Sequence, residues 1–69
     1  MEIRAPMVGT IVEILVEPGA RIDAEDEVLV IESMKMQIPV TAPRAGAVQS
    51  IPVQVGQVVQ EGDLLLILE

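Results

Sequence analysis

Ile3-Arg4-Ala5-Pro6-Met7-Val8-Gly9 is answered, 37 positions further on, by Val40-Thr41-Ala42-Pro43-Arg44-Ala45-Gly46. The register holds well beyond these segments. Ile14 falls on Ile51, Val16 on Val53, Gly19 on Gly56, Asp26 on Asp63, Leu29 on Leu66 and Glu32 on Glu69, while Ile11/Val48, Ile22/Val59 and Val28/Leu65 agree in kind. Turn glycines and an Ala-Pro pair recur together with the apolar positions, which marks a duplicated unit. The 69 residues read as one domain with repeat halves over about 3–32 and 40–69.

Each half spells out the same short strands. Thr10 to Val16 is an apolar or alternating run, and Glu17-Pro18-Gly19 then offers Pro and Gly in the two central places of a type II turn. Ala24-Glu25-Asp26 is a second turn, and Glu27 to Glu32 is a strand with Val28 and Val30 buried and Leu29 and Ile31 as further candidates for burial. Ala47 to Val53, Glu61-Gly62-Asp63 and Leu64 to Leu68 repeat the plan. No window carries a 3.6-residue apolar period flanked by caps. Two copies of a half-sheet, each unable to cover its own apolar face, are expected to pack as a small sandwich or flattened barrel about an approximate two-fold axis.

Composition agrees. Val, Ile and Leu supply 25 residues, and 19 of these are the β-branched Val and Ile, which suit pleated sheet better than helix. With no cysteine and no histidine, the core must come from aliphatic packing alone. A net charge of −7 and the lack of any aromatic ring disfavour nucleic acid as a partner. Acidic residues and Pro/Gly turns interrupt every apolar run before it reaches the length of a membrane span. Without a secretory-type leader in Met1-Glu2-Ile3-Arg4-Ala5-Pro6, a cytoplasmic location is expected. The acidic cluster Asp23, Glu25, Asp26 and Glu27 lacks the spacing and glycine of a calcium loop and reads as a solvated turn, so no metal is expected.

The junction between the copies carries the chemistry. Lys35 has 34 residues on either side, and a chain that folds back at this point makes Ser33 to Gln37 a hairpin whose tip projects from the domain, away from the termini. Lys35 is also the sole lysine, the other cations being Arg4, Arg21 and Arg44. Met34 and Met36 flank it, although hairpin tips are normally built from Gly, Asn, Asp and Ser. Methionine beside a reactive amine suits a surface that another protein reads. The same spacing also fits an ordinary strand in which Met34 and Met36 face inward and Lys35 outward, so the residues alone leave both readings open.

Glu32-Ser33-Met34-Lys35-Met36-Gln37, with an apolar strand before it and Ile38-Pro39-Val40-Thr41-Ala42-Pro43-Arg44-Ala45-Gly46 after it, resembles the biotinyl domains of biotin carboxyl carrier proteins. The likeness spans essentially the whole chain, including Ala5-Pro6 with Gly9, Glu17-Pro18-Gly19 and Glu61-Gly62-Asp63, and its length is similar to the small single-domain biotin/lipoyl attachment proteins of bacteria. The resemblance implies an all-β flattened barrel of two four-stranded antiparallel sheets with a pseudo-two-fold axis. It implies biotin attached to Lys35 by biotin protein ligase, with Met34 and Met36 as ligase-recognition residues and Glu32 as a weaker one. The loaded arm would then carry a carboxyl group from a biotin carboxylase site to a carboxyltransferase site, in a carboxylase of the acetyl-CoA type. The chain itself would be a carrier and not an enzyme. Ser33 stands where many such domains have alanine, and the ungapped repeat leaves no room for the inserted loop of some carrier proteins.

Two rivals share the fold. A lipoyl domain would present its lysine in the same way but typically shows Asp-Lys-Ala at the turn. An unmodified adaptor module would have no use for the lysine between two methionines.

Overall fold

A computed structural model describes residues 1–69. Eight strands follow in order: β1 (Glu2–Arg4), β2 (Gly9–Ile14), β3 (Arg21–Ile22), β4 (Glu27–Ser33), β5 (Met36–Thr41), β6 (Gly46–Ser50), β7 (Val58–Val59) and β8 (Leu64–Leu68). They form two four-stranded antiparallel sheets, β1-β8-β6-β3 and β5-β4-β2-β7. Exchanging each strand for its counterpart in the other repeat converts one order into the other.

The copies do not each form a half-sheet, as the sequence suggested. Each repeat divides its strands between both sheets: β1 leaves its own copy to pair with β8, and β5 pairs with β4. Both sheets therefore contain strands of both copies, and each copy's border strand, β1 or β5, is paired with the last strand of the repeat next to it in the sheet order.

The core follows the repeat. Fifteen residues are buried, all apolar, and fourteen of them are the pairs Ile3/Val40, Ala5/Ala42, Ile11/Val48, Ile22/Val59, Val28/Leu65, Leu29/Leu66 and Ile31/Leu68. The fifteenth, Val53, has the half-buried Val16 as its counterpart. One apolar side chain from each copy thus fills each equivalent place between the sheets.

Inward and outward residues do not alternate cleanly along β4. Val28, Leu29 and Ile31 are buried while Val30 is only half-buried. The β4–β5 register slips between Glu27 and Leu29, and the β1–β8 register slips at the equivalent place, so that Val28 and Leu65 are both extra residues. Such a bulge turns two successive side chains toward the same face. A second slip spans Val12 in β2 and, equivalently, Gln49 in β6. The strand starting at Gly46 ends at Ser50, short of Val53, since Pro52 has no N–H for a ladder.

The expected turns close the strands. The Ala20 N–H donates to the Glu17 carbonyl at 3.0 Å, with Gly19 at φ 91°, which is the type II turn anticipated for Glu17-Pro18-Gly19. Asp26 closes the acidic turn: its N–H donates to the Asp23 carbonyl, and its Oδ2 accepts the Asp23 N–H at 2.9 Å. Asp63 does the same with Gln60 in the second copy. The acidic cluster is therefore built around a turn clamp.

Candidate functional site: the Lys35 hairpin

Strands β4 and β5 form a hairpin whose last rungs are Glu32 opposite Gln37 and Ser33 opposite Met36. Only Met34 and Lys35 remain for the turn, and both have positive φ, 54° and 65°. Positive φ at both central residues is the mark of a type I′ turn, whose twist matches that of the flanking strands. The turn is thus narrower than the stretch 33–37 expected from the repeat, and Ser33, Met36 and Gln37 belong to the ladder. A left-handed conformation at a side-chain-bearing residue costs about 1–2 kcal/mol, and this hairpin meets that cost twice in succession. The six-rung ladder beneath over-determines the turn and keeps it in place.

The geometry decides between the two readings left open for the methionines. Met34 is 90% exposed and Met36 60% exposed, so neither is a core residue. Met36 shares the inward side of β5 with Val40, but the ladder has by then run past the end of the packed sheets. Lys35 is exposed, and the molecule's one ion pair, Arg4 with Glu2, lies elsewhere. Its amine carries no hydrogen bond or ion pair that an acyl donor would first have to break. Glu32 lies on the outer face of the hairpin base and is exposed. The structure therefore brings Lys35, Met34 and Met36 together at one tip, with Glu32 two rungs from the turn.

Two open grooves indent the surface, and neither is lined by residues of the tip. The site contains one primary amine and no acid, base or nucleophile arranged around it. An exposed, unencumbered primary amine is what covalent attachment of a carboxylic acid cofactor requires, so the residues present fit such a group. The sequence reading missed two valines at the same end, Val8 and Val58, which are 51% and 62% exposed. The signal was present in the repeat, where Val8 falls on Ala45 and Val58 on Arg21.

Fold and tip together define a small all-β domain that presents a single lysine on a hairpin. The family model for "Biotin-requiring enzyme", the biotin/lipoyl group, matches residues 1–68. The chain belongs to this biotin/lipoyl family. It is 42% identical over 67 residues to the biotinylated protein TB7.3 homolog of Mycobacterium leprae, covering 97% of this chain and 94% of that one. To the biotin carboxyl carrier protein of acetyl-CoA carboxylase from Solanum lycopersicum it is 45% identical over 65 residues, covering 94% and 93%. The human propionyl-CoA carboxylase alpha chain is 46% identical over 67 residues, but this chain spans only 9% of its length. Among solved structures, the lipoyl domain of the 2-oxoglutarate dehydrogenase complex from Azotobacter vinelandii matches with a TM-score of 0.84 at 27% identity, over 100% of this chain and 95% of that one. Relatives of this chain thus include carrier proteins and parts of biotin-dependent carboxylases. They also include the dihydrolipoyllysine-residue acetyltransferase component of the pyruvate dehydrogenase complex of Pseudomonas aeruginosa, 39% identical over 71 residues that cover 97% of this chain and 13% of that one.

Proposed function

We propose that this chain is a biotin carboxyl carrier whose cofactor is joined to Lys35. The observation that carries the reading is the tip itself: the sole lysine, on a two-residue turn, between two exposed methionines. The kinship with a biotinylated protein and with a carboxyl carrier protein, each matched over more than nine-tenths of its length, supports biotin as the group.

In this reading, biotin protein ligase supplies an activated biotinyl group. The Lys35 Nζ attacks its acyl carbon, forming an amide and releasing the activating group and a proton. The lysine charge is lost, as in acetylation. Met34 and Met36 give the ligase an adaptable apolar surface on either side of the amine. Bound biotin supplies a ring that takes up a carboxyl group at one site and gives it up at another. Lys35 and its turn then hold that ring at high effective concentration near a biotin carboxylase and a carboxyltransferase. The kinship with the tomato carrier makes an acetyl-CoA carboxylase type the first assembly to test.

Intact mass spectrometry after co-expression with biotin protein ligase tests the reading. A biotin-sized increment that disappears in Lys35→Ala supports it. A lipoyl-sized increment under lipoyl ligase, with none under biotin ligase, replaces it by the lipoyl reading that the shared fold equally allows. No increment under either ligase leaves an adaptor.

A further inference from the structure

The internal repeat supplies a control that few single domains offer. The same strand order is built twice, so the residue carried at a position in one copy is a structural precedent for its counterpart in the other. In the core, the seven buried pairs keep their apolar character throughout. On the outer surface they part.

Across the sheet β7-β2-β4-β5, Val58, Thr10, Glu32 and Gln37 stand opposite one another in a single row two rungs from the Met34–Lys35 turn. Their neighbours Val59, Ile11 and Ile31 are buried, so this row lies on the outer face. Val8 precedes Gly9, whose backbone lies against the Glu32 carbonyl, and brings a second exposed valine to the hairpin base. The equivalent row at the other end of the domain runs from Arg21 through Ala47, and Ala45 stands in the place of Val8. The fold therefore accepts Arg and Ala at these two positions, and of the three exposed valines Val8 and Val58 stand beside the hairpin base, while Val55 lies in the turn before β7.

We propose that Val8 and Val58 extend the ligase surface that the resemblance assigns to Met34, Met36 and Glu32, so that the footprint of the enzyme that acylates Lys35 runs from the hairpin onto the β2–β7 flank. This rests on the function proposed above. The occupant follows from continuity with the tip. The acylating enzyme must bring its reaction centre to the bare Nζ, and its surface then covers the hairpin base. Enzymes acting on a loaded arm would need to reach only the group at its far end, and their use of this flank is the outcome that the carboxylation assay below separates. Charge narrows the partner further: Glu32 sits between the valines' strands and Gln37 on a domain of net charge −7, so the facing surface is apolar with a basic group opposite Glu32.

The test copies the far end onto the near one. In Val8→Ala/Val58→Arg, each position takes the residue its counterpart already carries, so the fold has a precedent for both. Steady-state biotinylation of the purified domain by biotin protein ligase is expected to show KM raised by about tenfold, with kcat within about twofold of wild type, the signature of lost docking energy. Glu32→Gln is expected to raise KM and flatten its dependence on salt. Leu15→Thr, exposed but on the groove at the far end of β2, is expected to leave both constants unchanged. Circular dichroism melts establish that each variant is folded, and Val58→Thr replaces the double variant if that one is not. Unchanged KM in a folded variant of a domain that does take biotin overturns the inference. So does normal ligation followed by impaired carboxylation of the loaded protein, which would assign the face to the carboxylase. Failure of the wild-type chain to accept biotin overturns the proposed function instead, and is seen in the first assay.

Discussion

Gly9 lies so close to Ile31 that a Cβ on it would collide with Ile31 Cγ2 and stand 2.7 Å from the Glu32 carbonyl oxygen. Its counterpart Gly46 meets Glu69 and Leu68 at ordinary contact distances, 3.6 and 3.9 Å. Strand β2 is thus pressed more tightly on β4 beneath the hairpin than β6 is on β8. Gly9→Ala is expected to destabilise the domain by about 1–3 kcal/mol, since the obstructing atoms are a buried branched side chain and backbone. Gly46→Ala is expected to change stability by less than half as much. Urea denaturation of the two variants measures the difference.

Glu25 and Gly62 occupy equivalent places, at φ 73° and 88°, in the paired turns closed by Asp26 and Asp63. Only the glycine is at ease there. Glu25→Gly is expected to stabilise by about 0.5–1 kcal/mol, the relief of left-handed strain exceeding the added chain entropy of the unfolded state. Gly62→Ala is expected to destabilise by about 1 kcal/mol. No atom lies within 4 Å of the added Cβ, so this second effect is one of backbone conformation alone. In a chain this size each shift moves the thermal midpoint by about 2–8 °C, readily seen in a melt.

Met34 combines a strained turn position with nearly full exposure. Asparagine tolerates left-handed backbone far better than methionine. Met34→Asn is therefore expected to raise the thermal midpoint while lowering kcat/KM for biotinylation. The two readouts moving in opposite directions would show that the turn residue is kept for recognition at the expense of stability. A rise in both would mean that the ligase does not read Met34.

Leu29 and Leu66 are fully buried equivalents. Leu29→Ala and Leu66→Ala are each expected to cost about 2–5 kcal/mol, enough to unfold much of a domain with so small a core. The two costs should agree within about 1 kcal/mol, because one packing arrangement is used twice. Chemical denaturation at low temperature, where residual structure persists, compares them.

Much of this was legible in the residues. The match of Ile3–Gly9 with Val40–Gly46, and of Leu29 with Leu66, foretold a two-fold all-β domain with Lys35 at its junction, and these residues occupy equivalent places in the structure. Glu17-Pro18-Gly19 specified its own turn because the constraints on Pro and Gly are local to each residue. Leu29 and Ile31 are buried as the apolar run allows, but Val30 is only half-buried, since the bulge that turns it outward depends on how β4 registers with strands from elsewhere in the chain. The orientation of Met34 and Met36 could not be read from spacing, because a strand and a hairpin tip give the same alternation.

By itself, then, the sequence determined the duplication, the strand class, the turn sites and the singularity of Lys35 between two methionines. All of these follow from local conformational preference or from comparing the chain with itself. Only the tertiary structure decided that the two copies interleave, that Met34 and Lys35 alone make the turn, and that Val58 stands in the outer row at the hairpin base with Val8 exposed just before β2. Side-chain direction in a strand reverses with every one-residue change of register. Register is set by partner strands distant in sequence, so what faces solvent is settled only when they meet.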